Sequence, residues 1–198
     1  MQVTRGNGAL EGFLARQRVR QADRLIPEGA RAGRILDIGC GTNPLFLMTT
    51  RFHEKCGLDK VLDAEVQKRQ GQHITIKNHD MEKEDTLPYD DGLFDVVTML
   101  AVFEHIEPAR LVGMLKEVSR VLKPGGVYIL TTPAAWTDRI LRILAALKLV
   151  SKEEIDEHKD AYSHGMIIDL LKSAGFAEGR IQCGYFEAYL NLWVKAGK

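Results

Sequence analysis

The chain has 198 residues, of which 45% are hydrophobic, so it is long enough for one sizeable core and short for two domains. We therefore expect a single domain over residues 1–198. Its 27 basic residues balance 27 acidic ones, and a net charge of zero argues against nucleic acid or an anionic membrane surface as a partner.

The cysteine spacing and the length of the apolar runs indicate the cellular compartment of the protein. Cys40, Cys56 and Cys183 are far apart and lack the spacing of a zinc site or a disulfide framework. No run of about 18 apolar residues occurs, so we expect no membrane span. These observations predict a cytoplasmic protein with reduced thiols, no metal and a small-molecule partner. A homodimer is compatible with them.

The first part of the chain alternates helices and apolar strands. An amphipathic pattern from Gly8 to Ile26 predicts a helix, and residues 1–30 are interpreted as an N-terminal lid. Further predicted helices are Leu45–Phe52, Val61–Gln70 and Pro108–Leu122, and predicted strands are Arg34–Ile38, Cys56–Leu58, His73–Lys77, Leu93–Leu100 and Val127–Thr132. The alternation predicts an α/β fold with a doubly wound, mostly parallel sheet.

The pattern changes after Pro133. Residues 134–164 are predicted to be a helical insertion that forms a wall of the substrate pocket, with a helix over Trp136–Val150 and a charged stretch after it. A helix over Ser163–Ala174 follows. Strands Ile181–Cys183 and Ala188–Val194, joined at Gly184-Tyr185, then predict an antiparallel hairpin at the sheet edge.

The first strand runs into an acid and a glycine turn. A strand that feeds a glycine turn and a helix is typical of an adenosine cofactor site. Gly39 and Gly41 let the backbone approach a ligand closely. Asp37 would repel a pyrophosphate but suits a cofactor that carries positive charge.

Acidic residues also follow the next two strands. Because the carboxyl ends of parallel strands meet at one edge of the sheet, these residues should converge on one ligand. Asp59 stands about 20 residues after the glycine turn, where an acid can accept both ribose hydroxyls. Asp80 could accept the adenine amino group while Met81 covers the ring.

Five segments in this order resemble the class I S-adenosylmethionine-dependent methyltransferases. They are Ile35–Gly41, Gly57–Asp59, Asp80-Met81 with Leu87-Pro88, Phe94–Val97 leading to Glu104–Ile106, and Leu122–Gly126. The resemblance implies S-adenosylmethionine as cofactor and a seven-stranded sheet with its last strand inserted antiparallel. One departure is Asn43-Pro44, where a third small residue is common. The predicted cofactor-binding residues are Asp37, Gly39, Cys40, Gly41, Asp59, Lys60, Asp80, Met81, Leu100 and Ala101.

Methyl transfer from a sulfonium depends mainly on positioning, and a base is needed only if the acceptor loses a proton during attack. The candidates near the acceptor are His105, His158, Tyr162 and His164. Cys40 is interpreted as a small residue beside the ligand and not as a nucleophile.

The sequence thus predicts methyl transfer to a small organic acceptor. An oxygen or carbon nucleophile is favoured, because Leu100–Phe103 stands where amide and base amino methyltransferases have an Asn-Pro-Pro-Tyr-type motif. An RNA or protein methyltransferase and a noncatalytic cofactor-binding regulator are the alternatives. A nicotinamide dehydrogenase is disfavoured by the incomplete glycine pattern and Asp37.

Overall fold

A computed structural model describes residues 11–60, 74–137 and 162–198. Residues 1–10 of the predicted lid, the predicted helix Val61–Gln70 and residues 138–161 of the predicted insertion lie outside these ranges.

The described residues form one mixed, seven-stranded sheet. Its strands are β1 Arg34–Ile38, β2 Glu54–Asp59, β3 Ile74–Asn78, β4 Phe94–Leu100, β5 Leu122–Pro133, β6 Ile181–Phe186 and β7 Asn191–Gly197. Their spatial order is β3-β2-β1-β4-β5-β7-β6. The first five strands are parallel, and β7 is inserted antiparallel between β5 and β6, as the resemblance implied. Strand order reverses beside β1, and a ligand binds outside the carboxyl ends of the strands at such a point.

Helices cover both faces of the sheet. The α-helices among the described residues are α1 Glu11–Leu25, α2 Leu45–Thr49, α3 Pro108–Val121 and α4 His164–Ser173. On one face α3 and α4 bury Leu115 and Leu171 against the sheet. On the other face, called here the α1 face, α1 and α2 bury Ala22 and Phe46 against Ile129 and its neighbours. This two-sided burial accounts for the nearly continuous apolar run of β4.

The hairpin turn differs from the prediction. The sequence placed it at Gly184-Tyr185, but β6 continues to Phe186 and the turn follows it. Gly184 lies inside the strand because the indole of Trp193 covers it, and a Cβ there would come within 2.8 Å of that ring. The glycine therefore marks a close approach between strands and not a turn.

Helix and strand ends also shift. The helix predicted over Leu45–Phe52 ends at Thr49, and β5 begins at Leu122 instead of Val127. Leu122 already pairs with Phe94, and a register irregularity follows between Phe94 and Val96. The glycines after α3 thus accommodate an irregular start of β5.

Candidate cofactor and acceptor site

The glycine turn folds back onto the end of β2. The backbone N–H groups of Gly39 and Cys40 both donate to the carbonyl oxygen of Leu58, at 2.8 and 3.1 Å. Gly39 and Gly41 have φ angles of 72° and 71°, which favour glycine. A Cβ on Gly39 would lie 2.4 Å from a methyl carbon of Val102. Position 39 therefore requires glycine for both its conformation and its space.

Asp59 holds the same turn from β2. It is 8% exposed, and its Oδ2 accepts a hydrogen bond of 2.8 Å from the backbone N–H of Gly41. The structure thus brings the predicted ribose ligand and the glycine turn together at the carboxyl edge. A buried carboxylate at this position can accept hydroxyl hydrogens in charge-assisted bonds.

Asp37 is buried beside them at the end of β1. Thr98 on the adjacent strand β4 donates to its Oδ1 at 2.6 Å. Burial raises the pKa of Asp37 to about 7, the Thr98 hydrogen bond opposes the shift, and the charge of Asp59 adds to it. Two acidic groups with little solvent and few compensating donors form an environment that a cationic ligand would stabilise. This arrangement fits a sulfonium or ammonium group.

The end of β4 completes the edge. Ala101 adopts a φ of 54°, an uncommon conformation for a residue with a Cβ, and its N–H donates to the carbonyl oxygen of Thr131 at 2.9 Å. The turn places the Val102 side chain over Gly39. Strained residues of this kind persist only where their surroundings fix them, and they cluster at ligand sites. The segment after β4 thus lies beside the glycine turn, and the role of Leu100 and Ala101 in cofactor binding stays a prediction.

Glu104 is a buried acid to which the sequence analysis gave no role. It is 2% exposed, and its Oε2 accepts a 2.9 Å hydrogen bond from the Thr132 hydroxyl. This bond ties the segment after β4 to the end of β5. Glutamate is rarely buried. The segment around Glu104 contains both apolar and polar residues, so the sequence does not show that this acid is buried.

Asp80 is engaged in its own turn. Its Oδ1 accepts from the backbone N–H of Glu82 at 3.0 Å, and Lys83 lies 3.1 Å from its Oδ2. The hydrogen bond from Glu82, followed by that from Lys83, holds the pKa of Asp80 below its usual value. An adenine amino group would have to share these oxygens.

Met81 and Lys60 flank the Asp80 turn. Met81 lines a cavity of about 270 Å³ between this turn and α3, together with His79, Leu87 and Met114. Lys60 is exposed, and its carbonyl oxygen accepts from the Asn78 side chain at 3.4 Å.

The Cys40 side chain points into the α1 face. A Cβ on Gly57 would lie 2.7 Å from its Sγ and 3.1 Å from a Leu47 methyl carbon. Burial, with the nearby charges of Asp37 and Asp59, raises the pKa of the Cys40 thiol. Both findings agree with a small space-filling residue and oppose a nucleophile.

The candidate acceptor residues are spread over several environments. His105 is half-buried at the end of a 3-10 turn, Phe103–His105, directly after β4. Tyr162 is 2% exposed and packs edge-on against Phe103, with ring centroids 4.9 Å apart. His164 begins α4, and its Nε2 lies 3.0 Å from the carbonyl oxygen of Gly184 on the edge strand. His158 lies outside the described residues. Their catalytic roles stay predictions.

Within the described ranges, no helix is long and apolar enough to cross a bilayer. The same ranges contain no cluster of three or more His, Cys, Asp or Glu side chains suited to a metal ion.

Residues 36–130, which contain the glycine turn, Asp37 and Asp59, match the methyltransferase domain family. A sarcosine/dimethylglycine N-methyltransferase of Halorhodospira halochloris is 42% identical over 71 residues, which are 36% of this chain and 24% of that protein. A ubiquinone/menaquinone biosynthesis C-methyltransferase of Desulfotalea psychrophila is 32% identical over 112 residues, covering 52% of this chain and 44% of that protein. The chain thus spans less than half the length of these curated relatives.

The fold has close structural counterparts. The crystal structure of an S-adenosylmethionine-dependent methyltransferase from Mesorhizobium loti superposes with a TM-score of 0.67 at 19% identity, covering 90% of this chain and 96% of that one. The described residues thus share the fold of that methyltransferase, and the segment that matches the methyltransferase domain family contains Asp37, Asp59 and the glycine turn, which converge at one edge of the sheet.

Proposed function

We propose that this protein transfers a methyl group from S-adenosylmethionine to a small organic acceptor with an oxygen or carbon nucleophile. The observation that carries the proposal is the pair of buried acids at the glycine turn, Asp37 and Asp59. Asp37 would face the cationic methionine end of the cofactor and Asp59 the ribose. The bound cofactor supplies an activated methyl group on a good leaving group.

The residues of this chain then have to hold the acceptor in line with that methyl group. Positioning alone can supply roughly 7–11 kcal/mol of the barrier reduction in favourable cases. His105 ends the 3-10 turn that follows β4 and is half-buried, which suits a residue that orients the acceptor or accepts its proton.

A small acceptor is supported by the charge balance. The 27 basic residues equal the 27 acidic ones, whereas binding to an RNA backbone needs an excess of cations. Protein methylation and noncatalytic cofactor binding remain the competing proposals. The relatives named above act at nitrogen and at carbon, and their matched segments cover at most 52% of this chain.

We also propose a cytoplasmic location, supported by the free thiols of Cys40, Cys56 and Cys183. Assembly into a homodimer is a further proposal, which sedimentation at several protein concentrations would test.

The cofactor is the first target for experiment. Isothermal titration calorimetry with S-adenosylmethionine, S-adenosylhomocysteine and NAD should give binding of the first two and none of the third, because Asp37 repels a pyrophosphate. NAD binding in preference to the other two would overturn the proposal. Formation of S-adenosylhomocysteine with a panel of phenols, enols and amines would then identify the nucleophile.

A further inference from the structure

A row of side chains crosses the carboxyl end of the sheet on the α1 face. Leu100 on β4 pairs with Thr131 on β5, and Thr131 pairs with Trp193 on β7. Residues directly opposite each other on paired strands project from the same face. Residues two apart on a strand also project from the same face. Ile129 lies on the α1 face, so Thr131 and the residues paired with it lie there as well.

Thr131 is the unusual member of this row. Its side chain is fully buried, yet its hydroxyl oxygen has no hydrogen-bond partner among the described residues. Valine would fill the same space without leaving a polar atom unpaired. Buried hydroxyls are nearly always bonded, so an unpaired one next to a ligand site calls for an explanation.

A second unpaired polar atom lies one step further along the same face. Asn191 pairs with Pro133 and projects from the α1 face like Trp193, two residues on. Its amide contacts Oε2 of Glu187, while the buried Oε1 of Glu187 has no hydrogen-bond partner within the described ranges. Burial raises the pKa of Glu187, and the positive charge of Arg18 on α1 opposes that shift. The charge of Arg18 thus acts on this carboxylate, and α1 contacts β4 and β5.

The backbone at Glu187 is held in an uncommon conformation. Glu187, Ala188 and Tyr189 have φ angles of 52°, 52° and 69°, although none of them is glycine. Such a turn costs free energy and persists where its surroundings fix it, often at ligand sites. The turn is joined to the end of β5, because the N–H of Ala134 donates to the carbonyl oxygen of Leu190 at 3.0 Å.

We propose that the methyl acceptor binds under α1 on this row, with its apolar body against Leu100 and the Trp193 indole. Its polar end would bond the Thr131 hydroxyl and Oε1 of Glu187. Binding pockets of this kind combine an apolar lining with a few convergent polar groups. Since Oε1 is an acceptor, the ligand must present a donor, which is a hydroxyl or a protonated amine. The inference rests on the proposed function and specifies its acceptor.

The chain contains two tryptophans, so the Trp136→Phe variant leaves Trp193 as the only one. We would saturate this variant with S-adenosylhomocysteine and follow Trp193 fluorescence on addition of benzyl alcohol, benzylamine or benzyl methyl ether. The three probes share an aromatic body and differ in the donor. We expect the alcohol or the amine to bind about tenfold more tightly than the ether, and the preferred one identifies the donor.

Two substitutions in this background locate the polar contacts. Thr131→Val should weaken binding of the preferred probe about tenfold, leave the ether unchanged and not lower the melting temperature, because no existing hydrogen bond is lost. Thr131→Ser should keep the affinity. Glu187→Gln should weaken benzylamine more than benzyl alcohol, since it removes the charge. Thr75→Val on the exposed part of β3 is the matched control and should change nothing.

The proposal would be overturned by equal affinity of all three probes, by absence of saturable quenching, or by unchanged probe binding in Thr131→Val. Calorimetry with S-adenosylhomocysteine on the same proteins distinguishes a failure of the acceptor site from a failure of the proposed function. Loss of that binding in the parent protein would refute the proposed function itself, whereas its retention confines the failure to the acceptor site.

Discussion

Individual residues at the carboxyl edge support the fold in addition to the ligand role that we propose for them. Asp59 accepts from the Gly41 amide, so it fixes the shape of the glycine turn before any cofactor arrives. Val102 occupies the space that a side chain at Gly39 would need. A site built in this way is preorganised, which lowers the entropic cost of binding.

Replacing Asp59 should therefore weaken the cofactor without unfolding the protein. We expect Asp59→Ala to reduce S-adenosylhomocysteine affinity by about 1–3 kcal/mol, because a buried, charge-assisted acceptor is lost. Asp59→Asn keeps an acceptor for the Gly41 amide and should lose less. Calorimetry gives the affinities, and circular dichroism checks the fold. An unchanged affinity in a natively folded Asp59→Ala protein would exclude Asp59 as the ribose ligand.

Asp37 should make cofactor binding depend on pH. Its folded pKa of about 7 lies above the unfolded value of 3.8, so its contribution to stability is complete below that unfolded value and is lost as pH rises through about 7. A bound cation favours the ionised carboxylate and lowers this pKa. Binding should therefore release a proton at pH 6 to 7, and affinity should rise with pH up to about 8.

Calorimetry in buffers of different ionisation enthalpy counts the protons released on binding. The Asp37→Asn variant is the control and should bind more weakly, with no rise in affinity over the same range. If the parent protein binds equally well across that range and releases no proton, Asp37 does not face the cationic end of the cofactor.

At the scale of elements, β2 and α2 pack closely because the strand has a glycine, Gly57, where they meet. A Cβ on Gly57 would meet the Cys40 Sγ at 2.7 Å, a Leu47 methyl carbon at 3.1 Å and Ile76 at 3.3 Å. The glycine in β2 thus lets the turn after β1 and the start of α2 lie directly on the sheet.

Gly57→Ala should consequently destabilise the protein by about 1–3 kcal/mol, the usual effect of overfilling a core. Cys40→Ala removes the closest atom, so the double variant should recover part of that loss relative to Cys40→Ala alone. Gly113→Ala on α3 is the control, because a Cβ there meets nothing within 4 Å. That control should gain about 0.4–1 kcal/mol. Urea unfolding measures all four, and equal stability of Gly57→Ala and Gly113→Ala would contradict the argument.

For the molecule as a whole, the predicted fold class is confirmed. The near-continuous apolar run of β4 indicated the parallel sheet correctly, and the glycine turn after Asp37 lies at the carboxyl edge of that sheet. What the sequence did not reveal depends on partners distant along the chain. Gly184 signalled a turn because nothing local shows that Trp193 covers it, and Thr131 reads as an ordinary strand residue.

The environments of the proposed acceptor residues also depend on contacts that are distant in the sequence. Tyr162 is predicted to line the pocket because of its polar neighbours, and this role stays a prediction; its packing against Phe103, a residue 59 positions earlier, could not be predicted from those neighbours. Glu187 and Asn191, by contrast, gave no sequence signal, because the position of Asn191 follows from the register of β5 with β7 and Glu187 contacts Asn191. Local patterns fix which segments form strands, whereas side-chain environments follow from the pairing of strands.

The position of β1 beside β4 has a consequence for the time course of folding. Asp37 and Thr98 are 61 residues apart in the chain, yet their bond lies at the centre of the sheet. Closing a loop of that length costs roughly 4 kcal/mol of chain entropy before either strand gains from the pairing. Proteins dominated by such distant contacts reach the native state in milliseconds to seconds, far more slowly than helical bundles. We therefore expect folding to be slowed by formation of the same β1–β4 pair to which we assign part of the cofactor site.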